Sequence, residues 1–150
     1  MLTRIEIDGF KTFAGFGLDL EPMTAIAGPN ASGKSNLFDA LRFLSLLAQH
    51  DIRTAMQGLR GEPEELFRRT PFGLSKYMKF AVEVFLGETG TDAFGTSFKT
   101  PARRLRYELK LALLETPGGV PRGVVVKEEK CMPLARKDER SSAIRAANPS

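Results

Sequence analysis

The sequence contains little of what stabilises secreted proteins or anchors membrane proteins. Its 150 residues include a single cysteine, Cys131, and a single histidine, His50. One thiol cannot form an internal disulfide, which favours a reducing compartment. No stretch approaches the roughly 18 consecutive apolar residues of a membrane-spanning helix, and residues 1–6 do not have the form of a signal peptide. We therefore expect a cytoplasmic protein that does not enter a membrane.

Charge of one sign does not dominate the chain, but it is unevenly distributed. Residues 1–100 contain 11 Lys and Arg against 12 Asp and Glu, whereas residues 101–150 contain 11 against 6. A basic bias can indicate contact with nucleic acid, although a solvated strand face is the simpler interpretation. The cations that would form such a face are Arg103, Arg104, Arg106, Lys110, Arg122, Lys127 and Lys130.

The first third of the chain alternates strand and helix patterns. Residues 2–8 and 16–20 alternate apolar and polar side chains, which predicts two half-buried strands. The short apolar run 23–27 ends at a glycine and predicts a buried strand. Residues 35–49 carry a wide apolar face without a helix breaker, which predicts a mostly buried helix.

The remainder predicts an antiparallel sheet. Glycines and prolines punctuate residues 51–76, where a short helix over 62–69 with Pro63 in its first turn is expected. Period-two patterns at 77–86 and 105–113 and an apolar run at 124–132 then predict three strands with one wet face, the first two separated by a polar connection over 87–101. Cys131, in the third strand, is expected to pack rather than react.

A phosphate-binding pattern, G-x-x-x-x-G-K-[ST], follows the predicted buried strand and opens the predicted helix. Glycines let the backbone curl so that several N–H groups face one anion, and the helix N-terminus adds a positive dipole end. The lysine would contact the β- and γ-phosphates, and the following serine would offer its hydroxyl to Mg²⁺. The pattern therefore predicts binding of ATP with Mg²⁺ by Gly28, Pro29, Asn30, Ala31, Ser32, Gly33, Lys34 and Ser35.

The first 48 residues resemble the SMC and RecF branch of the ABC-type ATPases. Residues 1–13 are similar to the opening strand and "GFKSF" segment of that branch, and residues 25–43 to its "GPNGSGKSNLLDALRF" pattern. Asn30 and Asn36 make the match more specific than the phosphate loop alone. Ala31 stands where the family usually has glycine. The resemblance implies an α/β P-loop NTPase fold, here an N-terminal lobe with an antiparallel β-subdomain, and extends to RecF-like or OLD-like AAA family ATPases.

The resemblance also implies further nucleotide contacts. Lys11 lies where the family places a residue beside the nucleotide, and Arg60, in a Leu-Arg-Gly segment, lies where the family has an arginine that reaches it. For each residue an ordinary surface position is an equal alternative. Asn36 is included among the expected nucleotide contacts, Lys34 is the expected catalytic contributor, and Ser35 is the expected metal ligand.

The family's Q-loop, signature motif and Walker B strand are not found in residues 1–150. We therefore expect an N-terminal lobe over 1–134, consisting of a P-loop core at 1–50 and a β-subdomain at 77–132. Residues 135–150 are expected to be a flexible or truncated tail, because they combine many charges with few large apolar groups. The fragment alone is expected to bind nucleotide without efficient turnover.

Three functions remain open from the sequence. The first is an ATPase whose heads form a homodimer around ATP and act in DNA repair, DNA maintenance or anti-phage defence, with DNA or a nuclease as partner. The absence of heptads favours a RecF-like or defence-type ATPase over a chromosome condenser. The second is a nucleotide-gated interaction module without significant hydrolysis. The third, and least favoured, is a P-loop kinase.

Overall fold

A computed structural model describes residues 1–135. The strands are β1 (Leu2–Asp8), β2 (Phe16–Asp19), β3 (Arg69–Thr70), β4 (Gly73–Leu74), β5 (Tyr77–Phe85), β6 (Thr89–Thr91), β7 (Ser97–Lys99), β8 (Arg104–Glu115) and β9 (Pro121–Pro133). The helices are α1 (Lys34–Leu47) and α2 (Ile52–Gln57), with a 3₁₀ turn at Pro63–Leu66. Within this described part, no helix has the length and apolar character needed to cross a membrane.

Five of the strands form one antiparallel sheet in the order β2-β1-β5-β8-β9. The predicted strands at 2–8, 16–20, 77–86, 105–113 and 124–132 are therefore present, and the last three are antiparallel as expected. Strands β1 and β2, from the predicted P-loop core, pair into the same sheet as the strands of the predicted β-subdomain. The two predicted parts thus share a hydrogen-bonded layer.

Helix α1 covers the inner face of this sheet. Phe43 on the helix packs against Phe80 on β5 and Phe10 after β1, with ring centroids 5.5 and 6.4 Å apart, and all three rings are buried. Ile5, Ile7 and Leu111 fill the inner face around them. Because aromatic side chains bury large areas, this cluster fixes how α1 lies on the sheet.

Two predictions around the phosphate loop need correction. Residues 23–27 do not form a strand, and Met23 is 91% exposed. A buried strand needs neighbours that accept its hydrogen bonds, and among residues 1–135 none pairs with this segment. Helix α1 is not mostly buried either, since Phe38 on its outer side is 59% exposed.

The connecting regions are more ordered than the sequence predicts. The helix expected over 62–69 is only the 3₁₀ turn at Pro63–Leu66. Helix α2, which was not predicted, precedes this turn. Asp51 caps α2, because its carboxylate accepts hydrogen bonds from the N–H groups of Arg53 and Thr54. The polar connection over 87–101 contains the β6–β7 hairpin. Cys131 is exposed, so the prediction that it packs is wrong. Residues 136–150 of the predicted tail lie outside the described part.

The turn after β1 has a backbone that only glycine suits. Gly9 has φ 74°, and a Cβ built there would lie 2.1 Å from the carbonyl oxygen of Tyr77. A side chain would therefore be strained by its backbone angle and blocked by β5. This close approach places residues 10–13 beside the N-terminal end of α1.

Candidate functional site

The phosphate loop leads directly into helix α1, which begins at Lys34. Gly33, the residue before it, has φ 93° and provides no side-chain cap, and the first helical turn contains no acidic residue. The first N–H groups of an α-helix lack partners within the helix and carry its positive dipole end. The local structure is therefore that of an anion-binding helix N-terminus.

The side chain of Lys34 lies over the loop. Its Nζ donates to the carbonyl oxygens of Gly28 and Pro29, each at 2.6 Å, and approaches the hydroxyl of Ser32 at 3.4 Å. These contacts hold the ammonium group against the backbone of the loop. A phosphate bound by the loop N–H groups would meet this charge.

Ala31 adopts a backbone conformation that favours glycine. Its φ is 64°, in the left-handed region, which costs an L-residue about 1–2 kcal/mol relative to glycine. The loop keeps its curl despite the missing glycine, so the strain is stored in the loop itself.

The two asparagines that flank the core motif lie in different places. Asn30 is exposed at the tip of the loop. Asn36, on α1, donates from Nδ2 to the hydroxyl of Thr12 at 2.9 Å. Its observed contact is therefore with the turn after β1, and a direct contact with nucleotide stays a prediction.

Ser35 is exposed in the first turn of α1, where its hydroxyl is accessible. Among residues 1–135, no group of three His, Cys, Asp or Glu side chains is placed to hold a metal ion. A single serine hydroxyl fits Mg²⁺, because this ion keeps several waters and binds through few protein oxygens together with substrate phosphates. Ser35 is the residue that would hold it.

Lys11 and Arg60 converge on a residue that the sequence reasoning did not select, Asp39 of α1. The Lys11 ammonium lies 2.5 Å from Asp39 Oδ2, and Arg60 Nη2 lies 3.8 Å from Oδ1. Asp39 is buried, whereas the Arg60 side chain is 84% exposed. An acidic residue within the apolar pattern of the predicted helix was the signal that could have identified Asp39.

An open cavity of about 550 Å³ adjoins the loop. Residues 12–17 form one side and residues 31–33 the other, and the lining includes no acidic side chain and no glutamine. The cavity gives a nucleotide held by the loop space for the groups beyond its phosphates.

The outer face of the sheet carries an ionic network centred on Arg106. The guanidinium contacts carboxylate oxygens of Glu6, Glu83 and Glu108 at 2.6, 2.8 and 2.7 Å. The hydrogen bond from Arg106 is the main reason that the pKa of Glu6 lies below its ordinary value. Arg4 extends the network by contacting Glu6 and the β2 residue Asp19.

Part of the predicted basic face is occupied by contacts within the chain. Arg106 is engaged by three acids, Lys130 pairs with Glu128, and the Lys110 ammonium lies 4.3 Å from the Tyr77 ring centroid. Arg103 and Arg104 lie over the ring of Phe85. The structure therefore does not bring the seven cations together as a continuous unpaired surface.

A family model described as "AAA domain, putative AbiEii toxin, Type IV TA system" matches residues 23–122, which are 100 of the 150 residues. The chain belongs to this family. The match includes the phosphate loop, α1, and the strands from β3 to β8.

Part of this AAA-domain chain is similar in sequence to SMC proteins. It is 51% identical over 45 residues to the chromosome partition protein Smc of Halothermothrix orenii and 50% identical over 44 residues to that of Methanocaldococcus jannaschii. It is 41% identical over 58 residues to structural maintenance of chromosomes protein 4 of Caenorhabditis elegans. These matches cover 29%, 29% and 37% of the chain, and 4% of each relative.

A solved structure from work on ATP-driven dimerisation and DNA-stimulated activation of SMC ATPases shares the fold. It superimposes with a TM-score of 0.50 at 19% identity, covering 84% of this chain and 69% of that one. The prediction of an α/β P-loop NTPase with an antiparallel β-subdomain is confirmed. The AAA-domain chain thus resembles the ABC-type ATPases of the SMC/RecF-like branch in sequence over about a third of its length and in its fold.

Proposed function

We propose that this AAA-domain chain binds ATP with Mg²⁺ through the loop Gly28–Ser35. The observation that carries the proposal is the uncapped, acid-free N-terminus of α1 with the Lys34 ammonium held over the loop. Backbone N–H groups would receive the phosphates, Lys34 would contribute a full positive charge, and Ser35 would hold Mg²⁺. Lys34 is accordingly the residue on which phosphate binding depends most.

Replacing Lys34 by alanine tests this proposal directly. A hydrogen bond to a charged group contributes about 1.5–3 kcal/mol, so Lys34→Ala is expected to weaken binding of a fluorescent ATP analogue by at least about tenfold. Lys76→Ala removes an exposed lysine before β5 and serves as the matched control. Unchanged affinity in Lys34→Ala, with both variants folded by circular dichroism, would refute the assignment.

We further propose that ATP brings two such heads together in the complete protein. The solved structure of similar fold comes from work on ATP-driven dimerisation of SMC ATPases, and the curated relatives are chromosome partition and maintenance proteins. The names of these relatives favour homodimerisation in service of DNA maintenance, and DNA repair or anti-phage defence belongs to the same proposal. Light scattering measures the molar mass with and without ATP, and ATP is expected to double it. A molar mass that ATP does not change, at ATP concentrations above the dissociation constant, would contradict the proposed dimerisation.

A second function, nucleotide-gated interaction without significant hydrolysis, is supported by the lining of the cavity beside the loop. Within the described residues 1–135, the cavity lining contains neither an acidic side chain nor a glutamine that could orient a water molecule. We expect residues 1–150 to bind ATP without efficient turnover. Phosphate release faster than about 1 s⁻¹, the lower end of ordinary enzyme turnover, would exclude this expectation.

DNA contact is proposed only for the complete protein. Arg106 of β8 and Lys130 of β9 are paired with acids, which lowers the positive charge that these two residues offer to a phosphate backbone. Binding that weakens steeply with added salt would indicate phosphate contact by this chain. Absence of binding at low salt would show that DNA, if bound, contacts other parts of the protein.

A further inference from the structure

Two side chains of α1 attach the turn after β1 to the helix that carries the phosphate loop. Asn36 donates to the hydroxyl of Thr12 at 2.9 Å, and Asp39 contacts the ammonium of Lys11 at 2.5 Å. Asn36 and Asp39 are three residues apart and therefore lie on the same side of the helix. At about 1.5 Å of rise per residue, Asp39 lies roughly 6 Å along the axis from Ser35.

The backbone of Lys11 is strained at this point. Its φ is 47°, a left-handed conformation that costs a residue other than glycine about 1–2 kcal/mol. The N–H of Lys11 donates to the carbonyl of Leu66 at 2.8 Å, and the side chain reaches Asp39. Such strain persists only where surrounding contacts determine it, and it is typical of functional sites.

The pair between Lys11 and Asp39 is shielded from solvent. The two side chains are 15% and 12% exposed, and removing one partner from a shielded pair leaves the other charge without compensation. Arg60 contacts the same carboxylate at 3.8 Å but is mostly exposed, so it adds little to the attachment. Lys11 is therefore the partner that Asp39 holds in place.

The attached turn is one wall of the cavity beside the phosphate loop. Residues 12–17 line one side of it and residues 31–33 the other. Residues 31–33, on the loop side, are covalently continuous with α1. The two polar contacts attach the opposite wall to the same helix. Asn36 and Asp39 are therefore the side chains of α1 that fix the position of this wall relative to the helix.

We propose that Asp39 is a positioning residue for nucleotide binding, which acts through Lys11 to hold the 12–17 wall at a fixed distance from the phosphate loop. This inference rests on the proposed function. When the wall is already ordered before binding, less conformational entropy is lost on binding. The affinity is therefore higher without any new contact to the ligand. Because the loop and Lys34 receive the phosphates, the wall strengthens binding of the ribose and base rather than of the triphosphate.

Two ligands separate these contributions in the full chain. A fluorescent ATP analogue is displaced either by ATP or by inorganic tripolyphosphate, which has the phosphates but no nucleoside. Asp39→Asn keeps the size of the side chain and removes its charge. We expect this variant to weaken the binding of ATP by about tenfold and to leave the affinity for tripolyphosphate unchanged.

A second variant and a matched control complete the experiment. Lys11→Gln removes the charge from the other partner and is expected to show the same selective loss, so it decides the question if Asp39→Asn does not fold. Asp19→Asn makes the same chemical change in an ion pair on β2, where Asp19 contacts Arg4, and is expected to match the wild type with both ligands.

The outcomes distinguish the inference from the proposed function. Equal weakening of ATP and tripolyphosphate would show that Asp39 serves general folding, and unchanged ATP affinity would show that the attachment does not matter for binding. Either result overturns the inference alone. A wild-type chain that binds neither ligand overturns the proposed function and the inference together.

Discussion

Replacing Arg106 by methionine removes the centre of the ionic network on the outer face of the sheet. Methionine keeps much of the aliphatic volume but none of the three charge-assisted hydrogen bonds to Glu6, Glu83 and Glu108. The consequence depends on how well water can replace the guanidinium at each carboxylate.

The burial of the three acids determines the magnitude. The Glu83 side chain is 5% exposed, and its Oε2 is buried without a hydrogen-bond partner in the described part of the chain. Leaving such a charge uncompensated costs about 3–5 kcal/mol. The Glu6 and Glu108 side chains are 31% and 39% exposed, and pairs at such exposure contribute only about 0–1 kcal/mol each. Glu83 therefore accounts for most of the expected loss of about 3–5 kcal/mol.

Urea unfolding at pH 7 measures this loss as a shift of the midpoint with an unchanged slope. Glu108→Gln is the matched control for the exposed contact and is expected to cost less than about 1 kcal/mol. The double variant Arg106→Met/Glu83→Met removes both buried charges and is expected to recover most of the stability. A loss below about 1 kcal/mol in Arg106→Met, or a double variant no more stable than the single one, would refute the reasoning.

Three further predictions address the loop, the first turn and pH. Ala31→Gly relieves about 1–2 kcal/mol of backbone strain against about 0.5–1 kcal/mol of added chain entropy, so unfolding in urea should show a gain of about 0–1.5 kcal/mol; a clear loss would contradict the left-handed conformation. Gly9→Ala should cost about 2–3 kcal/mol or more, because its Cβ would meet the carbonyl of Tyr77; an unchanged melting temperature would contradict that contact. The pKa of Glu6 is lowered in the folded chain, chiefly by the hydrogen bond from Arg106, so its contribution is present above its ordinary value of 4.5 and is lost as pH falls below it. The part of the stability difference between wild type and Arg106→Met that Glu6 contributes should therefore be lost below about pH 4.5 in pH-dependent urea titrations, and a difference that stays constant through this range would exclude the linkage.

Most of the secondary structure near the site could be predicted because it depends on local pattern. Alternation identified β1, β5 and β8, since every second side chain faces the core of an antiparallel sheet. The Gly28–Ser35 pattern placed the start of α1 within one residue. The run at 23–27 was misread because an apolar segment becomes a strand only when partners accept its hydrogen bonds.

The sequence by itself determined the phosphate loop, the helix after it and the alternating strands, because each depends on residues close together in the chain. Only the tertiary structure decided which distant side chains meet. Asp39 pairs with Lys11, which lies 28 positions before it in the chain. Arg106 contacts Glu6, which lies 100 positions before it. No local pattern encodes such pairs, since they arise when β1 pairs with β5, β5 pairs with β8, and α1 packs across the sheet. The loop that would hold the phosphates can therefore be predicted from the sequence, whereas the position of the wall opposite it depends on the tertiary structure.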